Sequence, residues 1–222
     1  MSPAVLWRPL LGLSLAAWLA ACTTQSQSSR DALNQATVLI EHAKGHGTGT
    51  IVGANQILTA YHVVADAPVD VIFFEGPAVG GTVHWYDEAL DLALVEVDVP
   101  QRYRATELAC DDLRIGQHLI AVGHPMRGRW VAADGRLPTV TGVGGLGLVP
   151  LGFDIGLGTS GGPVFDDRGR VAGVALAILA ERRSASAGYD VFKDTGMGLM
   201  LPASAFCDAL TTQRARSSPR GD

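Results

Sequence analysis

The sequence contains no run of lysine or arginine, and its net charge is −5. Proteins that bind nucleic acid need a concentrated positive surface against the phosphates, so nucleic acid is not a predicted partner. The sequence also lacks histidine, cysteine or acidic residues at the spacing typical of a metal site. His42 and His46 lie close together, but no cysteine or acidic cluster at zinc-like spacing accompanies them. They are predicted to lie in a solvated loop, and the sequence predicts neither a metal nor a cofactor.

The N-terminal segment has a hydrophobic run, but the run is short. The apolar run from Leu10 to Ala21 follows Arg8. At about 1.5 Å per residue, this run is too short to cross a hydrocarbon core of about 30 Å. The pattern is typical of a secretory signal peptide, which we assign to residues 1–21. Residues 22–35 are polar and predict a flexible tether.

No long amphipathic helical pattern occurs before about residue 202, where a short C-terminal helix is predicted. The body of the chain instead alternates short apolar runs with turns rich in glycine and proline, which favours an all-β fold. A polar stretch, PQRYRATELACDD, divides the runs into two β units, with a polar tail at 211–222. The predicted strands are residues 37–40, 48–52, 57–59, 69–74, 82–85, 92–97, 118–122, 130–133, 139–143, 148–153, 162–165, 171–178 and 198–201.

Ser160 lies in the segment GTSGGPVF, which satisfies the G-x-S-x-G pattern of a nucleophilic serine. In an α/β-hydrolase the histidine follows the serine, but all six histidines of this chain precede Ser160. In a subtilisin the aspartate precedes the histidine, and the only aspartate before His62 is Asp31 in the tether. The order that remains is histidine, aspartate, serine.

Three segments carry that order and resemble the chymotrypsin-like serine proteases. ILTAYHVV contains His62, DLALV begins with Asp91, and GTSGGPVF contains Ser160. The resemblance implies two six-stranded antiparallel β-barrels, over about 36–100 and 112–203, within a protease domain at 36–210. It also implies a serine endopeptidase that acts on polypeptide substrates. A catalytically degenerate binding or chaperone module is the alternative.

Further segments resemble the bacterial HtrA/DegP-like branch of this family. They are GTG at residues 47–49, LRIG with AVGHP at 113–125, and GLMLP at 198–202. Thr159 departs from the asparagine or aspartate usual before the serine, and we expect no PDZ domain. The sequence makes no prediction of the oligomeric state.

The resemblance assigns a role to each residue of the site. His62 is the general base, Asp91 holds its tautomer, and Ser160 is the nucleophile. Backbone N–H groups of Gly158 and Ser160 form the oxyanion hole. In the specificity pocket, Asp154 would select arginine or lysine, whereas Ile155 or Leu157 would favour small aliphatic residues; the apolar alternative is preferred.

Cysteine usage adds two expectations. LAAC, ending in Cys22, resembles the lipobox of bacterial lipoproteins. Lipidated Cys22 would anchor the protein to a membrane of the bacterial cell envelope, on the periplasmic or cell-surface side; an ordinary secretory signal is the alternative. Cys110 and Cys207 are the two other cysteines. They are predicted either to form a disulfide, as in some chymotrypsin-like enzymes, or to remain buried thiols.

Overall fold

Barrel one is a closed six-stranded barrel with strand order β1-β2-β3-β6-β5-β4. The computed structural model describes residues 29–65, 68–184 and 190–217. In β4 the burial alternates, with Val69, Val71 and Phe73 inside and Asp70 outside, as the two-residue period of a strand requires. The strands are β1 (Thr37–His42), β2 (Gly45–Gly53), β3 (Gln56–Ala60), β4 (Val69–Phe73), β5 (Ala78–Asp87) and β6 (Leu92–Glu96).

Barrel two is an antiparallel six-stranded sheet with order β8-β7-β10-β11-β12-β9. Its two edge strands lie side by side, because a Cβ on Gly152 of β9 would stand 2.8 Å from the carbonyl oxygen of Arg136 in β8. The barrel is therefore nearly closed. The strands are β7 (His118–Gly123), β8 (Val131–Arg136), β9 (Val149–Asp154), β10 (Pro163–Phe165), β11 (Val171–Ser184) and β12 (Asp190–Pro202).

Three α-helices accompany the barrels within the residues that the structure describes. Helix α1, described over residues 29–36, packs Leu33 beside Val122 and Phe165 of barrel two. Helix α2 (Tyr61–Val64) follows β3, and α3 (Cys207–Ser217) follows a short 3-10 turn. No helix in the described ranges has the length and hydropathy needed to span a bilayer.

The C-terminal segment returns to barrel one, where Phe206 and Leu210 join the buried core. The Sγ atoms of Cys110 and Cys207 lie 2.00 Å apart, at disulfide-bond length, so the linker between the barrels is tied to α3. The linker also donates backbone hydrogen bonds to both barrels, from Thr106 to Ile51 (2.9 Å) and from Ala109 to Val171 (2.8 Å). These contacts hold the two barrels in one arrangement.

The all-β double-barrel prediction is confirmed, but three local predictions are wrong. Residues 139–143 form no strand, because Val143 pairs with Leu148 across a short glycine turn and not with a barrel neighbour. The tether is not flexible throughout, since residues 29–35 are helical. Helix α3 continues to Ser217, past the start of the tail predicted at residue 211. Residues 1–28, with Cys22, lie outside the described part.

Candidate active site

His62 projects from the first turn of α2, directly after β3. Its backbone N–H donates to Asp91 Oδ1 at 3.0 Å, and its ring Nδ1 is 2.7 Å from Asp91 Oδ2. The buried side chains of Val63 and Val64 fix α2 against barrel one. In the neutral ring the carboxylate accepts from Nδ1–H, which makes Nε2 the acceptor nitrogen, and Nε2 has no hydrogen-bond partner among the described residues. This arrangement suits a general base.

Asp91 is held in an uncommon backbone conformation, with φ of +53°. Aspartate visits this left-handed region more readily than most residues. The preceding turn is closed by Asp87, whose Oδ1 accepts N–H groups from Ala89 (2.9 Å) and Leu90 (3.0 Å). The Asp91 carbonyl oxygen also accepts the Tyr61 N–H at 3.0 Å. Backbone and side chain of Asp91 thus both bond to the segment that carries His62.

Ser160 lies in the loop before β10, pressed against barrel one. Its carbonyl oxygen accepts the Thr48 N–H at 2.9 Å. Gly161 has φ of +81°, and a Cβ there would stand 2.2 Å from Thr59 Oγ1, so the position requires glycine. A Cβ on Gly47 would meet both Val63 and the Ser160 carbonyl. The serine loop and the His62 helix therefore flank the same glycine.

Two backbone donors of this loop are available to an anion. The N–H groups of Gly158 and Ser160 have no acceptor within the described residues. Gly158 has φ of +99°, and a Cβ there would stand 2.3 Å from the His124 carbonyl oxygen. Preorganised, unpaired N–H groups can stabilise developing negative charge.

The predicted pocket residues occupy different environments. Asp154 ends β9 exposed to solvent, and its carboxylate lies beside Gly196. Ile155 is partly buried against the core of barrel two, and a Cβ on Gly198 would stand 2.9 Å from its Cδ1. Leu157 is 62% exposed. Ile155 is thus the one of the three whose side chain packs into the apolar interior.

Sequence reasoning missed a buried cluster behind the serine loop. Thr48 Oγ1 donates to the Gly158 carbonyl oxygen at 2.7 Å and lies 3.0 Å from His124 Nδ1. The ring of His124 is fully buried against Trp130. The pKa of His124 is lowered to about 3, chiefly by burial and further by its electrostatic interactions with His46 and Arg129. No local sequence pattern marked this cluster, because Thr48 lies in the glycine-rich strand β2 and His124 follows β7, 76 residues later.

The prediction of a solvated loop around His42 and His46 is wrong. His46 lies in β2, is partly buried, and its Nε2 is 2.8 Å from the His124 carbonyl oxygen. His42 ends β1 on the other side of the turn. The described ranges contain no cluster of three or more His, Cys, Asp or Glu residues that could hold a metal ion.

Comparison with known proteins decides the family. The profile described as a trypsin-like peptidase domain matches residues 47–174, which include the segments of His62, Asp91 and Ser160. The chain belongs to the trypsin-like peptidase family.

Curated relatives of this trypsin-like peptidase are named serine proteases. It is 27% identical over 165 residues to the serine protease Do-like HtrA of Lactococcus lactis, covering 68% of this chain and 39% of the relative. It is 29% identical over 147 residues to the periplasmic pH-dependent serine endoprotease DegQ of Escherichia coli, covering 62% and 32%. The peptidase thus spans about a third of the length of these relatives.

Solved structures share the fold of this trypsin-like peptidase. The HtrA-type protease AlgW with tripeptide superposes with a TM-score of 0.69 at 24% identity, covering 82% of this chain and 62% of that one. An inactive form of the Rv3671c protease gives 0.66 at 23% identity, covering 84% and 93%.

Proposed function

We propose that this protein is a serine endopeptidase with Ser160 as nucleophile. The observation that carries the proposal is the pair of hydrogen bonds between His62 and Asp91, at 3.0 and 2.7 Å, in a chain whose serine loop offers two unpaired N–H groups. Family membership and the names of the relatives support the same chemistry.

The reaction follows from these groups. Ser160 Oγ attacks the scissile carbonyl carbon while His62 Nε2 takes its proton, and the carbonyl oxygen becomes an oxyanion near the Gly158 and Ser160 N–H groups. Asp91 stabilises the imidazolium that forms. When the tetrahedral intermediate collapses, His62 returns the proton to the leaving amine and an acyl-enzyme remains. Water then attacks the acyl carbon while His62 takes its proton. His62 returns the proton to Ser160 Oγ, and the carboxylic acid product leaves.

The direct test is digestion of a proteome-derived peptide library by the purified protein and its Ser160→Ala variant. Loss of the nucleophile should reduce turnover by about 10⁴- to 10⁶-fold without unfolding the protein. Ser204→Ala, at an exposed serine of the 3-10 turn, is the matched control and should cleave like the wild type. Equal cleavage by Ser160→Ala, or none by the wild type, would overturn the proposal; the latter result would favour a degenerate binding module.

For the specificity pocket we propose a preference for small aliphatic side chains. The apolar surroundings of Ile155 and the solvent exposure of Asp154 support it. A carboxylate selects a basic substrate best when it is desolvated, which an exposed Asp154 is not. The library should be cleaved after valine, alanine or leucine, with the same preference in Asp154→Ala. Cleavage after arginine or lysine that disappears in that variant would contradict this assignment.

For the cellular location we propose the bacterial envelope, with lipidated Cys22 as anchor. The LAAC segment and the relatives named periplasmic endoproteases support this location. Multiple acyl chains hold a protein firmly on a membrane. In cell fractions the wild type should sediment with membranes, and Cys22→Ser should be released. A wild-type protein found wholly in the soluble fraction would contradict the anchor.

A further inference from the structure

The peptide group between Leu157 and Gly158 is held in one orientation by a neighbouring loop. The Leu157 carbonyl oxygen accepts the Met126 N–H at 3.0 Å. In a planar trans peptide the C=O and N–H point in opposite directions. The bond to Met126 therefore turns the Gly158 N–H away from residue 126. Without it, rotation of this peptide would remove one of the two donors proposed for the oxyanion.

The next peptide group is held from barrel one. The Gly158 carbonyl oxygen accepts the Thr48 hydroxyl at 2.7 Å, and the Ser160 carbonyl oxygen accepts the Thr48 N–H at 2.9 Å. A single residue of β2 thus binds the serine loop at two points on either side of Thr159. The loop, which belongs to barrel two, depends on this residue for its position.

The hydrogen bonds of the Thr48 hydroxyl determine which ring nitrogen of His124 carries the proton. A hydroxyl has one proton and two acceptor sites. Thr48 Oγ1 gives its proton to the Gly158 carbonyl and accepts from the His124 backbone N–H (3.2 Å), so the remaining contact, 3.0 Å to His124 Nδ1, must also be accepted. His124 therefore carries its proton on Nδ1. Its buried Nε2 has no partner among the described residues, which keeps the ring neutral.

His46 completes the support from the other side. Its Nε2 lies 2.8 Å from the His124 carbonyl oxygen, to which a ring N–H donates. A Cβ on Gly158 would stand 2.3 Å from that carbonyl oxygen and 2.6 Å from His46 Nε2. The His46 ring and the start of the 124–126 loop therefore lie directly against Gly158.

We propose that Thr48, His124 and His46 are positioning residues that hold the Gly158 N–H in the orientation needed to stabilise the oxyanion. This inference rests on the proposed function. The three side chains act through the Gly158 backbone and through the loop that binds Leu157. Loss of the Thr48 hydroxyl leaves the Gly158 carbonyl and His124 Nδ1 unpaired, which frees the loop to rotate. Loss of one oxyanion donor costs about 10²- to 10³-fold in rate, and partial misplacement costs less.

The test compares Thr48→Val with Thr48→Ser, using the library peptide that the wild type cleaves best. Thr48→Val should lower kcat by about 10- to 100-fold with KM almost unchanged, because the loss falls on the transition state. Thr48→Ser retains the hydroxyl and should stay near wild-type kcat. Thr50→Val is the matched control. Thr50 lies in the same strand, is fully buried, and donates to the Ala36 carbonyl at 3.0 Å, away from the serine loop.

A second measurement separates positioning from general destabilisation. A peptide aldehyde of the same sequence forms a tetrahedral adduct with an oxyanion, whereas the corresponding peptide alcohol only binds. Thr48→Val should weaken inhibition by the aldehyde in proportion to its loss of kcat and leave inhibition by the alcohol unchanged. An equal loss for both inhibitors, or equal kcat in Thr48→Val and Thr50→Val, would overturn the proposal.

Variants of the two histidines keep the test decisive if Thr48→Val does not fold. The amide N–H of asparagine can replace Nδ1–H, so His124→Asn should retain more activity than His124→Leu. The glutamine amide can replace Nε2–H in the same way, so His46→Gln should retain more activity than His46→Leu. Equal activity within both pairs would overturn the positioning role. A wild type that cleaves no peptide would instead remove the proposed function, and this inference with it.

Discussion

The two barrels contribute different kinds of groups to the candidate site. Barrel one supplies side chains, His62 and Asp91, joined to each other by two hydrogen bonds. Barrel two supplies Ser160 together with backbone N–H groups, on a loop whose conformation depends on glycines with positive φ. In the proposed mechanism the identity of two side chains of barrel one determines the chemistry. In barrel two the path of the backbone matters equally, and Thr48 of barrel one helps to hold it.

The largest expected effect comes from changing a side chain that barrel one supplies, Asp91. Asp91→Asn keeps the shape of the side chain but lets the amide donate to His62, which favours the wrong tautomer. We expect kcat to fall by about 10⁴-fold with little change in structure. Asp98→Asn, at an exposed aspartate just after β6, is the matched control. Hydrolysis of the best library peptide measures both, and a less than tenfold loss in Asp91→Asn would refute the assigned role.

A smaller effect is expected on the barrel-two side, from Gly158→Ala. The added Cβ would stand 2.3 Å from the His124 carbonyl oxygen at a residue whose φ is +99°. The loop must shift, and we expect a loss of about 10²- to 10³-fold in kcat. Gly144→Ala controls for the conformational cost, because Gly144 also has positive φ (+67°) but open space around it. Similar kcat values for the two variants would show that backbone position matters less than we infer.

The smallest effect is expected on the pH dependence of stability, through His124, which contacts Thr48 across the two barrels. Its pKa is lowered to about 3 in the folded protein, chiefly by burial. As the pH falls below about 6.5, the unfolded chain takes up a proton that the folded protein does not. Stability should therefore fall with pH, by at most about 1.4 kcal/mol per pH unit from this residue. His124→Asn should flatten that slope in denaturant unfolding measured in the Ser160→Ala background; an unchanged slope would contradict the burial argument.

His118 provides an internal control with the opposite sign. Hydrogen bonds to Asp167 and Asp134 raise the pKa of His118. Its contribution to stability is present at low pH and is lost as the pH rises through the raised pKa. His118→Gln should therefore lower stability at acidic pH, where protonated His118 is bonded, and should approach the wild type as the pH rises above about 6.5. A loss of stability confined to pH values above the raised pKa would contradict the assigned direction.

The sequence predicted most of the fold and the main residues of the candidate site, for identifiable reasons. Buried strands of barrel one read as short apolar runs, and His62, Asp91 and Ser160 lie in distinctive local segments. The supporting cluster was not predicted, because the bond between Thr48 and His124 joins residues 76 positions apart and has no local pattern. The strand predicted at 139–143 was wrong because Val143 bonds to Leu148 within the same loop.

The most direct measurement is to map the residue labelled by a fluorophosphonate probe, which reacts with activated serines. The proposed site predicts a single adduct on Ser160, found by mass spectrometry of the digested protein. It also predicts that His62→Ala, which removes the base from barrel one, abolishes labelling of the serine in barrel two. Labelling of another residue, or labelling of Ser160 at the wild-type rate in His62→Ala, would contradict a nucleophile of one barrel activated by a base of the other.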